Sequence, residues 1–277
     1  YLRDHHGYEE GTSQDYNKTF ALDTERVKRF ILATQRQKAE NVQCFANDLA
    51  ERKFFTELSK QLTNRGITDV LRKGFRYISE LFDMYYPLPS ELNPTAQEFY
   101  SKNIFTITRQ LFYSTQNQNS IDLMLSINGM PLLTMELKNQ FTNQNVNNAI
   151  KQYQLDRDPR EILLAPKRCA VHFAVDDEQI MMCTALAGRD SWFLPFNKGV
   201  DGGAGNPINP SGLKTAYLWE EVLEQRSLSD IIENYAQVVK KTDERTGNEK
   251  ESIVWPRYHQ LDVVRKLLKS TRENGVG

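Results

Sequence analysis

Three charged residues lie inside an otherwise apolar hairpin. From Ser120 to Lys138 the chain runs Ser-Ile-Asp-Leu-Met-Leu-Ser-Ile-Asn-Gly-Met-Pro-Leu-Leu-Thr-Met-Glu-Leu-Lys. Two apolar runs flank Asn128-Gly129, a dipeptide strongly favoured at the tip of a β-hairpin. Asp122 falls in the first run, and Glu136 and Lys138 fall in the second. Side chains alternate along a strand, so Glu136 and Lys138 share a face and Leu137 points the other way. Asp122 sits between Ile121 and Leu123 and needs a partner, because a buried carboxylate left unpaired is strongly destabilising.

Carboxylates brought side by side repel one another. A hard divalent cation such as Mg²⁺ relieves that repulsion, since it takes oxygen ligands. A cation held there polarises a phosphodiester and lowers the pKa of an attacking water. A lysine beside it stabilises the charge that develops on the phosphate, or positions the water. The chemistry requires Asp122 and Glu136 on one face, and the turn decides this. A plain two-residue turn would set Asp122 opposite Met135 and leave Glu136 on the far face. A three-residue loop, Ile127-Asn128-Gly129, with Gly129 left-handed as a bulge, pairs Asp122 with Thr134 and puts Glu136 diagonally beside it. The three-residue loop is the expectation here. The alternative for the cluster is a structural ion pair between Lys138 and a carboxylate.

The elements that position these groups can be read from periodicity. Asp23 precedes Glu25-Arg26-Val27-Lys28-Arg29-Phe30-Ile31-Leu32, where an acid at the start, an acid early and apolar residues at helical spacing read as a helix. A second helical stretch runs from about Asn41 to Arg65, with Phe45, Leu49, Phe54, Leu58 and Leu62 on one stripe. Beyond residue 100 the texture changes. Ile104 to Thr108, Ser120 to Ser126 and Leu132 to Lys138 read as strands. Asn145 to Asp156 reads as a helix with Ala149, Ile150 and Tyr153 on one face. Cys169 to Val175 and Gln179 to Leu186 read as two further strands. This order gives a mixed α/β core. Residues 199–212, rich in Gly, Asn and Pro, form a loop. Leu218 to Val239 reads as one or two helices. Residues 240–252 are almost wholly polar and read as a charged linker. Leu261, Val264 and Leu268 then recur at helical spacing.

Composition narrows the function classes. The 277 residues are 39% hydrophobic and 26% charged, an ordinary globular balance with enough chain to bury a real core. No run is apolar enough to span a bilayer, and Tyr1 to His6 is too polar for a secretory signal. The three cysteines form no C-x-x-C pair, so neither a zinc finger nor a redox motif is expected, and free thiols point to the cytoplasm. A net charge of −1 counts against a self-sufficient nucleic-acid binder, but not against a domain handed DNA by partners. No Gly-Lys dipeptide occurs, so a phosphate-binding loop for ATP is missing. His172, in an apolar strand, is expected to be a satisfied core histidine. The opening Tyr1 suggests a piece of a longer protein.

Asp122 followed by Glu136-Leu137-Lys138 resembles the PD-(D/E)xK nuclease motif. The surrounding sequence resembles, more specifically, the N-terminal region of the R subunit of type I restriction enzymes. The resemblance rests on Gly7-Tyr8-Glu9-Glu10-Gly11, Glu136 to Asn139, Ala149 to Tyr153, Arg157-Asp158-Pro159-Arg160, Val171 to Asp176, Phe193 to Gly199, Asp201 to Pro207 and Thr215 to Glu220, and covers nearly the whole chain. It implies an α/β fold with a restriction-endonuclease-like mixed sheet flanked by helices and a large helical N-terminal part. It implies Asp122 and Glu136 as metal ligands for Mg²⁺, Lys138 as catalytic lysine, and Gln152 as the glutamine of a supporting Q-x-x-x-Y motif, in which Asp156 replaces the tyrosine. An acid in the first core helix, usual in the family, would lie upstream of Tyr1. Gln260 resembles the glutamine that contacts adenine just before a motor domain.

The expected organisation is a nuclease domain over 1–239 with its catalytic core at about 100–190, the linker 240–252, and the start of a RecA-like motor over 253–277. The expected activity is Mg²⁺-dependent cleavage of double-stranded DNA within an ATP-driven complex. Methylation and specificity subunits would be partners, and ATP would be a cofactor of the full-length protein only. Two alternatives stand beside it: a non-catalytic docking or coupling module, and a repair-type nuclease of the same superfamily.

Overall fold

A computed structural model describes residues 1–90, 92–242, 247 and 249–275. The N-terminal part contains β1 (Glu9–Gly11) and the helices α1 (Leu2–His6), α2 (Thr24–Thr34), α3 (Arg36–Asn41), α4 (Asp48–Arg65) and α5 (Ile67–Lys73). A small hairpin, β2 (Phe75–Tyr77) and β3 (Glu80–Phe82), and the helix α6 (Pro94–Ser101) follow. The central strands are β4 (Phe105–Phe112), β5 (Ser120–Ile127) and β6 (Met130–Leu137). The helix α7 (Val146–Leu155) leads to β7 (Val171–Val175), β8 (Ile180–Cys183) and β9 (Leu194–Pro195). The chain continues through α8 (Gln225–Asp230), β10 (Gln237–Thr242), β11 (Glu249–Val254) and α9 (Tyr258–Asn274).

Among the described residues, one mixed sheet has the order β1-β4-β5-β6-β7-β8-β9. β1 pairs with β4 and β6 with β7 in parallel, and the other neighbours are antiparallel. The parallel β6–β7 pair needs a crossover, and α7 supplies it. This is the expected mixed α/β, restriction-endonuclease-like architecture.

The sheet is covered on both sides. Leu123, Leu125, Leu133, Met135, Val171 and Phe173 join the main core with Val27, Phe30, Phe54, Leu58 and Val70 from the N-terminal helices. The opposite face carries Met124, Tyr153 and Leu164 in a second cluster, and Val146, Ala149 and Ala174 in a third. α7 therefore lies over the face that holds Thr134 and Glu136 of β6. Asp23 caps α2 by accepting from Arg26 N at 3.0 Å, and Asn145 caps α7.

Three sequence expectations need correction. Leu49 does not join the α4 stripe: it is exposed, and Phe55 and Ser59 complete the buried face. The charged stretch at 240–252 is not simply a linker. Apart from Gly247, its described residues lie in the antiparallel pair β10–β11, in which Val238 faces Ile253 and Lys240 faces Glu251. Lys240 and Lys241 are consecutive there, as are Glu249, Lys250 and Glu251, so no alternation marks the strands, and the ladder supplies the backbone bonds that a polar composition conceals. Finally, Ile253, Trp255 and Leu261 belong to the main core, so the segment from 253 is packed onto the body through its first helical turn. Further along α9, Val263, Val264, Leu267 and Leu268 are exposed.

Candidate active site

The β5–β6 hairpin brings Asp122 and Glu136 onto one face, by a route other than the expected three-residue loop. The turn is two residues long, with Ile127 opposite Met130. Asn128 (φ 51°) and Gly129 (φ 78°) are both left-handed, the conformation of a tight turn that matches strand twist. The parity change comes from a bulge. Ser126 pairs with Pro131 but Leu125 pairs with Leu133, which leaves Leu132 as the extra residue. Proline has no N–H to give the ladder, and within sheets it sits at edges and bulges. After the bulge Met124 faces Thr134 and Leu123 faces Met135. One further step along the ladder sets Asp122 opposite Glu136, where Thr134 was expected.

The turn is held by tertiary bonds. The Asn128 side chain accepts from Ile104 N at 2.7 Å and donates to Met84 O at 2.9 Å. The Gly129 carbonyl accepts from Asp23 N at 2.8 Å. A side chain at Gly129 would meet the Asp23 carbonyl and would lie 2.8 Å from Val27. The hairpin tip thus abuts the capped start of α2.

Glu136 is fully buried. Its Oε1 accepts from Arg157 Nε at 2.7 Å, and Arg157 Nη2 donates to Ser120 O at 2.7 Å. Its Oε2 is buried without a hydrogen-bond partner. Burial pushes the Glu136 carboxyl up to about 8; Arg157 opposes this, and the adjacent Asp122 adds to it by charge and side-chain contact. Asp122, expected to be the buried acid, is instead partly exposed; its Oδ2 accepts from Leu137 N at 2.8 Å and lies 3.8 Å from Lys138 Nζ. Lys138 follows β6 directly, and its backbone N–H donates to Val175 O at 2.8 Å.

The layer behind the carboxylates is polar and closed. Thr134 Oγ1 lies 2.8 Å from Tyr153 Oη and 2.7 Å from His172 Nδ1, all three buried. Burial holds the His172 imidazole down at about 3, so it is a neutral core histidine, as expected. Gln152 is half-buried on α7, and no side-chain hydrogen bond joins it to Asp122, Glu136 or Lys138 among the described residues. Asp156 is exposed at the end of α7, and the tyrosine that reaches the sheet is Tyr153. Gln260 lies in the first turn of α9, where its Oε1 accepts from Arg257 N at 2.9 Å.

Arg157 and the Thr134 hydroxyl went unassigned in sequence. Arg157 stands in the Arg-Asp-Pro-Arg run just past α7. The need of a buried acid for a cation could have pointed to it, but only with Glu136, not Asp122, read as the buried one.

The donor set fits a hard cation. Two carboxylates face each other, and one of their oxygens is buried and unshared. No group of three or more His, Cys, Asp or Glu side chains suited to a metal occurs among the described residues. Mg²⁺ tolerates so sparse a set because it keeps water and phosphate oxygens in its shell.

The family model described as the type I restriction enzyme R protein N terminus matches residues 2–191. The chain belongs to that family. The match takes in the hairpin, α7 and all seven strands of the main sheet except β9. A search of curated proteins finds no match. No helix among the described residues is long and apolar enough to cross a membrane.

Proposed function

We propose that this chain is the Mg²⁺-dependent endonuclease module of an ATP-driven type I restriction complex and that it hydrolyses double-stranded DNA. The observation that carries the reading is Asp122 opposite Glu136 on one sheet face, with Lys138 two residues beyond Glu136 and 3.8 Å from Asp122. Asp122 and Glu136 would hold the cation. When bound, Mg²⁺ polarises the phosphodiester and lowers the pKa of the attacking water. Lys138 Nζ offers its charge to the non-bridging phosphate oxygens as negative charge grows there. Water oxygen bonds to phosphorus, one P–O ester bond breaks, and the products are a phosphomonoester and a hydroxyl. Gln152, on the helix that covers this face, supports the site.

The nearly neutral charge of the chain suits a module whose DNA is delivered by methylation and specificity subunits. ATP serves the motor of the full-length protein, with Gln260 contacting adenine. Three free, buried cysteines accord with work in the cytoplasm.

A second reading has its own support. The buried Glu136–Arg157 pair is what a structural ion-pair network in a docking or coupling module would contain. One experiment separates the two. The full-length R subunit is assembled with its partners, and plasmid cleavage and ATP hydrolysis are followed together. Glu136→Ala and Lys138→Ala should each cut cleavage by about a hundredfold or more and leave ATP hydrolysis intact. Cleavage that survives both substitutions would make the cluster structural.

A further inference from the structure

We infer that Arg157 is the positioning residue of this centre: it fixes the direction of the Glu136 carboxylate so that one oxygen is left for the cation. The inference rests on the nuclease reading above. Arg157 Nε donates to Glu136 Oε1 at 2.7 Å and Nη2 donates to Ser120 O at 2.7 Å. Ser120 opens β5 and Glu136 is the last residue but one of β6, so one planar guanidinium spans both strands that carry the ligands. Its side chain is 5% exposed, and that of Glu136 is 0% exposed, so water does not compete for either bond.

The geometry divides the two carboxylate oxygens. Oε1 is taken by Arg157, while Oε2 is buried and has no hydrogen-bond partner. A buried oxygen with nothing to accept from is destabilising unless something else satisfies it. A cation shared with Asp122 would do so. Asp122 is arranged in the same way, with Oδ2 accepting from Leu137 N at 2.8 Å. Each ligand therefore has one oxygen tied to the protein, as partners of metal ligands do in fixing orientation. Arginine suits the role because its fork is planar and stays charged; lysine would offer a single charged point.

The test measures Mn²⁺ binding by electron paramagnetic resonance on the full-length protein, with thermal melting as the control for folding. Asp122→Ala should abolish binding. Arg157→Met should weaken it by about 10–100-fold, and Arg157→Lys should weaken it less. In cleavage assays, Arg157→Lys should raise the Mg²⁺ concentration for half-maximal rate while the rate at saturating Mg²⁺ persists. If Asp122→Ala abolishes binding but a folded Arg157→Met binds Mn²⁺ as well as wild type or more tightly, the inference is overturned and the nuclease reading stands. If Arg157→Met does not fold, Arg157→Lys decides, and unchanged affinity overturns the inference. Binding that Asp122→Ala leaves intact would sink the nuclease reading, and this inference with it.

Discussion

The protonation of Glu136 should be visible in the stability of the metal-free protein. Burial raises its carboxyl from 4.5 to about 8, so between those pH values the folded state holds a proton that the unfolded state has released. Stability then falls as pH rises through this window, and the contribution is fully present only below the unfolded value. The slope is at most about 1.4 kcal/mol per pH unit, and over the whole shift it amounts to about 5 kcal/mol. Glu136 is completely buried, so solvent does not screen the effect. Glu136→Gln keeps the shape and removes the titration. The assay is thermal melting of both proteins in EDTA from pH 5 to pH 8. Other groups titrate alike in the two and cancel in the difference. At low pH the gap reflects only the lost acid. As pH rises, wild type should lose about 4 kcal/mol relative to Glu136→Gln across this range, which shifts the gap in Tm by roughly 8–16 °C. A gap that stays constant would mean that Arg157 keeps the carboxylate ionised throughout, and the burial argument would be refuted. A falling gap would mean that metal binding below pH 8 must expel a proton.

The scaffold makes two more predictions. Gly129→Ala puts a methyl group against the Asp23 carbonyl and Val27 at φ 78°; it should cost about 2–4 kcal/mol, read as a lower midpoint in urea with an unchanged slope. Thr134→Val removes the hydroxyl shared by Tyr153 and His172 and strands two buried polar groups, so it should destabilise by about 2–4 kcal/mol in the same assay.

The shared face of Asp122 and Glu136 was legible in the sequence, but the device that creates it was not. Both routes, a three-residue loop and a two-residue turn with a bulge, add one residue to one side of the ladder, and either gives the same parity. The choice between them depends on Pro131, which lacks a donor, and on Asn128, whose side chain bonds to Ile104 and Met84. Those partners lie 24 and 44 residues away, beyond the reach of local pattern. α7 was legible almost to the residue because an Asn cap and helical spacing agree. The β10–β11 pair was hidden because its strands are polar, and only their pairing with each other gives them structure. Leu49 misled for the opposite reason: an apolar residue in the first turn of α4 fits the helical stripe by spacing, yet the body of the protein does not reach it.

The N-terminal helices bear on the chemistry although none of their side chains faces the carboxylates. Asp122, Glu136 and Lys138 all belong to one hairpin, and a hairpin alone in water is marginally stable. Its tip is fixed by the bond from Asp23 N to the Gly129 carbonyl, at the residue that also caps α2. Its open end is fixed by Arg157, which bonds to Ser120 and Glu136. One clamp comes from the helical part and the other from the crossover after α7, and they grip opposite ends of the same two strands. Loosening either should let β5 and β6 slide, and a slip of one residue turns every side chain to the other face. In this molecule such a slip would separate Asp122 from Glu136, so the helical part does more than enlarge the core: it helps fix the register on which the paired carboxylates depend.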